Sequence, residues 1–149
     1  MSVLLLRVLE RIHGHGGWLA VAALLHPAII LRNPKRRAPL SVALSTSFAT
    51  AFGLLGAYIY PQYRLRLKQR IFMESPSIGW LFERKEHLAV GAIAFALAGC
   101  IAHFATRTFD DDAHRVVVAR LAHRSFVVSF VLALTVAILG VVVASHKSF

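Results

Sequence analysis

The sequence predicts an all-α integral membrane protein: a four-helix bundle running up-down-up-down, with an N-terminal helix lying on the membrane interface. Three observations predict it. Of 149 residues, 57% are hydrophobic and only 16% are charged. A soluble domain of this length cannot bury so much apolar surface, so lipid is the expected solvent. The apolar residues gather into four stretches, 16–31, 40–60, 88–106 and 125–145, of 16, 21, 19 and 21 residues. A span needs roughly 20 residues, with about 17 as the lower end. Lipid also requires every backbone polar group to find its partner within the segment, and a helix does this.

The N-terminal segment MSVLLLRVLERI is interrupted by Arg7, Glu10 and Arg11. Its apolar residues suit a helix lying on the interface rather than crossing it. Stretch 16–31 is short for a span unless the turn at His13–His15 joins the same helix. Basic RNPKRRAP (32–39) then makes a short connection, which implies antiparallel neighbours. After stretch 40–60, the segment 61–87 reads as a long connection in which leucines alternate with Arg64, Arg66, Lys68 and Arg70. Segment 107–120 reads as the last loop, followed by a short helix HRVVVARLAH. No internal repeat or second domain emerges, so 1–149 reads as one transmembrane domain.

The net charge of +10 is divided by apolar spans and forms no continuous basic face. This argues against nucleic acid and for the lipid bilayer and its anionic headgroups as partners. With four spans both termini share a side, here side A, and the opposite side is B. Nine Lys and Arg fall on side A and eight on side B. That near balance tilts the termini to the cytoplasm of a bacterial inner membrane. The single cysteine, Cys100, excludes an intramolecular disulfide, thiolate zinc and iron–sulfur sites. No G-x-S-x-G, H-E-x-x-H or glycine-rich phosphate loop is present. The acidic run Asp110–Asp112 lacks the glycine and distant glutamate of an EF-hand loop. It is expected to neutralise Arg107, Arg115 and Arg120 or to cap the next helix.

The eight histidines carry the functional signal. His13 and His15 open the first span, and His26 lies inside it. His87 opens the third span, His103 lies within it towards side B, and His123 precedes the fourth. His114 lies in the side-B loop, and His146 closes the chain's last span. Ionisable residues within spans point to function by default. His15 and His26 are 11 apart, so they share a helix face within roughly 20°, about 16 Å apart along the axis. Two imidazoles on one face at two depths is what a helix needs to ligate two haems. Gly16, Gly17 and Ala22 leave room beside them, and Thr46, Thr50, Gly53 and Ala57 make a second narrow face. Pro27 is expected to kink the helix and turn His26 inward. His15 matches His87 in depth. His26 takes either His103 or His123, because His87 and His103 differ by roughly 160° in phase.

On these spans and histidines the chain resembles, loosely, the four-helix membrane b-type cytochromes, including the cytochrome b561-like group. The resemblance covers the span count and the histidine placement across 13–123. It implies electron transfer between a quinone and another redox partner subunit. The reading from the residues is a haem b protein with one or two haems, whose ligands come from His15, His26, His87, His103 and His123. Arg64 and Arg66 are candidates to pair with haem propionates or a quinone headgroup, or else with lipid headgroups beside Tyr60 and Tyr63 as anchors. Glu83 and Glu86, in FERKEH, can orient His87 or relay protons. Direct zinc or copper binding ranks below haem, because no carboxylate or thiolate joins the spans. Two alternatives stand beside electron transfer. One is a non-catalytic subunit of a larger membrane complex. The other is a transporter component whose proton or metal path uses His26 and His103.

Overall fold

The computed structural model describes residues 2–145, so His146 lies outside the described residues. Helix α1 spans Val3–Ile30 and α2 spans Pro39–Tyr63. A π-helical stretch, Arg64–Lys68, leads directly into α3, Gln69–Glu74. Helices α4, Pro76–Ala105, and α5, Asp112–Ser145, complete the chain, and no strand occurs among the described residues. Three rods are long and apolar enough to cross a membrane: Pro39–Glu74 with 36 residues, Pro76–Ala105 with 30 and Asp112–Ser145 with 34. This is consistent with an integral membrane protein. Helix α1 is long too, but histidines at 13, 15 and 26 and Pro27 dilute its apolar run.

Helix α1 packs against α2 and α5, and α4 packs against the same two. Successive rods run antiparallel. His13 and His26 of α1 bond Phe52 and Ser41 of α2. Gly99 and Ala92 of α4 meet Phe126 and Ser129 of α5.

The interior mixes many small residues with a few large ones such as Leu24, Val42 and Phe126. Ala20, Ala28, Ala49, Ala92, Ala96, Ala102 and Ala122 are buried, together with Ser45, Thr46, Ser125 and Ser129. Large apolar residues such as Leu54, Val90, Ile101, Val131 and Val141 face outward. Water would penalise that inversion. Lipid does not, because tails solvate leucine as well as a protein core does, while small residues let backbones approach. Ser129 Oγ donates to the carbonyl of Ala92 at 2.7 Å, tying α5 to α4 in a fully buried position. Ser129→Ala should cost about 0.6 kcal/mol, and not more than roughly 1.7, the range for such bonds between membrane helices. Thermal unfolding in detergent measures it.

Three expected boundaries move. The interfacial N-terminal helix is not separate: it runs unbroken into the first apolar stretch, started by Ser2, whose Oγ accepts from the amide of Leu5 at 3.3 Å. Arg, Glu and Leu are good helix formers, so nothing in this segment stops propagation. The side-A connection is helical rather than a loop. Pro61 lies inside α2, the chain stays helical through the π stretch, and only Ser75, in extended conformation, breaks it before Pro76 opens α4. Tyr63, Leu67 and Ile71, spaced by four, are thereby buried. Tyr63 is no interfacial anchor. Finally, α5 begins at Asp112, so the expected short helix is its first turns and His123 lies inside a rod.

The acidic run does cap. Asp111 Oδ1 accepts from the amide of Ala113 at 3.0 Å, Oδ2 pairs with His114 Nδ1, and Arg115 bonds Asp112 at 3.1 Å. The bond from Ala113, then that from His114, holds the Asp111 carboxyl below its ordinary pKa. A depressed folded pKa means the cap is fully present above the ordinary carboxylate value and is lost as pH falls through the depressed one. Protection of the Ala113 amide, measured against its intrinsic exchange rate, should therefore fall as the solution is acidified below the ordinary carboxylate range, and should be lost at neutral pH in Asp111→Ala. Arg107 instead lies over the ring of Phe104, 5.3 Å from its centroid.

Candidate functional site

Interhelical contacts fix the depth of each histidine. His26 is level with Ser41, and Thr46, five residues along the antiparallel α2, reaches the carbonyl of Ala96 at 3.5 Å. Phe126 lies over Gly99, so His103 and His123, each about one turn from that contact, are level with one another. His26, His103 and His123 thus form a tier near the side-B end, on three different rods. At the other end, His13 bonds Phe52, and Gly53 faces Ile93, which brings His13, His15 and His87 within about two turns in depth.

Orientation separates these residues. His15 and His26 do share a face of α1, and that face is exposed. His15 Nδ1 donates to the carbonyl of Arg11 on its own helix at 2.8 Å, and His87 Nδ1 does the same to Glu83 at 2.8 Å. A carbonyl only accepts, so in each neutral ring Nε2 carries the lone pair. Both rings point outward, and α1 and α4 do not face one another across an open core. His103 is buried, edge-on to Phe104, within reach of the charges of Arg107 and Arg37. His123 is half-buried, and its Nδ1 is buried with no hydrogen-bond partner. No group of three or more His, Cys, Asp or Glu among the described residues is placed to hold a metal ion.

Pro27 acts opposite to expectation. The proline is the residue turned inward and fully buried, and helix α1 continues through it to the bond from the amide of Leu31 to the carbonyl of Pro27 at 3.1 Å. His26, one residue back, is turned outward by the helical phase. The narrow faces are filled as well. A Cβ on Gly16 would meet the ring of Phe52 at 2.1 Å, one on Gly53 would meet Ile93 at 2.3 Å, and one on Gly99 would meet Phe126 at 2.9 Å. These three glycines admit side chains of neighbouring rods, whereas a Cβ on Gly17 would meet nothing within 4 Å.

A groove of about 630 Å³ opens instead on the outer side-B flank. Its lining is His26, Ile29, Ile30, Arg32, Asn33 and Arg36. His26 Nδ1 and Ser41 Oγ share a hydrogen bond of 2.6 Å, which steadies the ring from α2. With Nδ1 as donor, Nε2 is free for a ligand. The isoleucines supply an apolar wall, and two guanidinium groups supply positive charge at its rim. Volumes of roughly 300–1,000 Å³ hold cofactor-sized ligands. The spacing of histidines alone missed Ser41, Arg32 and Arg36. The run RNPKRR directly after the first apolar stretch was the signal for the rim.

The side-A residues form a separate cluster. Tyr63 stacks on Phe82 with centroids 4.0 Å apart, and Tyr60 lies 6.2 Å from the same ring. Lys68 pairs with Glu83 at 2.7 Å, and Lys85 pairs with Glu86 at 2.9 Å. Glu83 is thus occupied by Lys68, while its backbone carbonyl holds His87. Arg64 and Arg66 are exposed on the π stretch beyond Tyr63, more than a turn from His87 in depth and away from the side-B groove. No described protein family, characterised protein or solved structure matches this chain.

Proposed function

We propose that the protein is a four-helix, b-type haem electron-transfer protein of a bacterial inner membrane, with cytoplasmic termini, exchanging electrons with a quinone or a partner redox subunit. The observation that carries this reading is the His26 groove: one imidazole steadied at Nδ1 by Ser41, an apolar wall and two arginines beside one another. That donor set fits a single haem. When bound, the haem supplies one-electron exchange at its iron. In this reading His26 would ligate the iron, and Ser41 would steady the orientation of its ring. Ile29 and Ile30 exclude water from one face of the site. Arg32 and Arg36 pair with the propionates through charge-assisted hydrogen bonds.

The reading takes one haem, not two. His15 and His87 have the tautomer a ligand needs, but neither lines the His26 groove, and side chains occupy the space at Gly16, Gly53 and Gly99. His103 and His123 share the tier of His26 and are not part of the groove lining. The groove is open on its outer side, where a quinone in the lipid or a partner subunit can approach within electron-transfer distance.

The test is one pair of spectra of protein purified from haem-supplied cells, oxidised and then reduced with dithionite. A Soret band that shifts on reduction, with one haem per chain, is expected. Colourless protein overturns the proposal. Co-purifying membrane partners would then favour the non-catalytic subunit, and proton or metal flux in vesicles would favour a path through the histidines.

A further inference from the structure

A second groove, of about 380 Å³, lies at the opposite end of the molecule and is lined by Arg64, Lys68, Gln69 and Phe72. We propose that this groove binds the phosphodiester headgroup of an anionic phospholipid, held between Arg64 and Lys68 over the face of Phe72. The inference does not rest on the haem reading; it needs only that the rods lie in lipid.

The groove is assembled by the π stretch. Arg64 and Lys68 stand at its first and last positions, one on each rim. Lys68 is held in place twice, by Glu83 at 2.7 Å and over the Phe72 ring at 5.9 Å from its centroid. Arg64 has no acidic partner among the described residues, so its charge is available to a ligand. The floor is fixed as well. Phe72 packs onto the backbone of Gly79, where a Cβ would come within 2.7 Å of the ring, and meets Trp80 edge-on at 5.8 Å.

The surroundings identify the occupant. Leu65, Met73 and Trp80 flank the groove and are 80%, 78% and 61% exposed. Water does not favour three large apolar side chains beside two cations. The boundary between headgroups and acyl chains favours that combination, and tryptophan concentrates there. A free phosphate would use the cations and leave the apolar flank wet. A diacyl phosphodiester uses both, with its chains running along Leu65 and Trp80. Positive charge excludes zwitterionic lipid as the preferred ligand.

The experiment reconstitutes the full chain in vesicles of phosphatidylcholine and phosphatidylglycerol, extracts it gently and counts retained lipids by native mass spectrometry. Wild-type protein should retain phosphatidylglycerol. Arg64→Gln should weaken retention about fivefold, the factor expected for one cation near a lipid surface. Arg84→Gln removes an exposed charge from the same end and should leave retention unchanged. Equal losses in the two variants, no loss in either, or preferential retention of phosphatidylcholine each overturns the proposal. So does competition by inorganic phosphate as effective as by the lipid. Arg64 is exposed and bonds no described side chain, so its replacement leaves the fold intact; an unchanged melting temperature checks this.

Discussion

Phe126→Ala should destabilise the protein by about 3 kcal/mol, the lower end of the range for deleting a buried phenyl group. Phe126 is fully buried and its ring lies over Gly99 of α4. The hydrophobic transfer term is small for a helix bundle in lipid, because lipid solvates a phenyl ring well. The cavity term is not small, since the lining of a close-packed core relaxes only partly into the space left. Gly99 provides the converse test. A Cβ there would lie 2.9 Å from the Phe126 ring and 3.2 Å from Ser125 Cβ, with no room for the ring to retreat. Gly99→Ala should therefore cost about 1–3 kcal/mol by overpacking. The double variant should be markedly less unstable than the sum, because truncating the ring makes room for the methyl group. Simple additivity in thermal or denaturant unfolding would mean that the two positions are not in contact.

His26→Ala should abolish the Soret band, the largest functional effect expected. Only this histidine lines the side-B groove. Under the haem reading its loss would remove the iron ligand, which the arginines and isoleucines cannot replace. Ser41→Ala separates ligation from packing. It leaves the imidazole present but releases Nδ1, so haem should be retained with a shifted reduction potential and a faster rate of haem loss. His15→Ala and His87→Ala should keep full haem content, as both rings face outward on their own helices. Full haem retention in His26→Ala, or loss in His15→Ala, would shift the ligand role away from the groove.

Much of the architecture was readable along the chain, and the parts that were not share a cause. The apolar stretches locate the rods, each lying inside one helix to within a residue at its end. They do not locate where helices end. Arg, Lys, Glu and Leu propagate a helix as well outside lipid as inside it. So α1 absorbed the expected interfacial segment, α2 ran on through Lys68 to α3, and α5 began thirteen residues before its apolar stretch. The stops are local instead: Ser2 and Asp111 as caps, and the extended Ser75 before Pro76.

The candidate site divides in the same way. Sequence by itself determined that the protein is helical and apolar enough for a membrane, that His15 and His26 share a face, and that imidazoles lie at two depths. Tertiary structure decided which way each face turns. In water, an amphipathic rod announces its inner side, because the outer one must be polar. In lipid, both the interior and the surroundings are apolar, so the pattern along a rod is nearly the same on every side. Only contacts between rods break the tie: Phe52 filling the space beside Gly16, Phe126 over Gly99, and Pro27 buried while His26 turns out to Ser41.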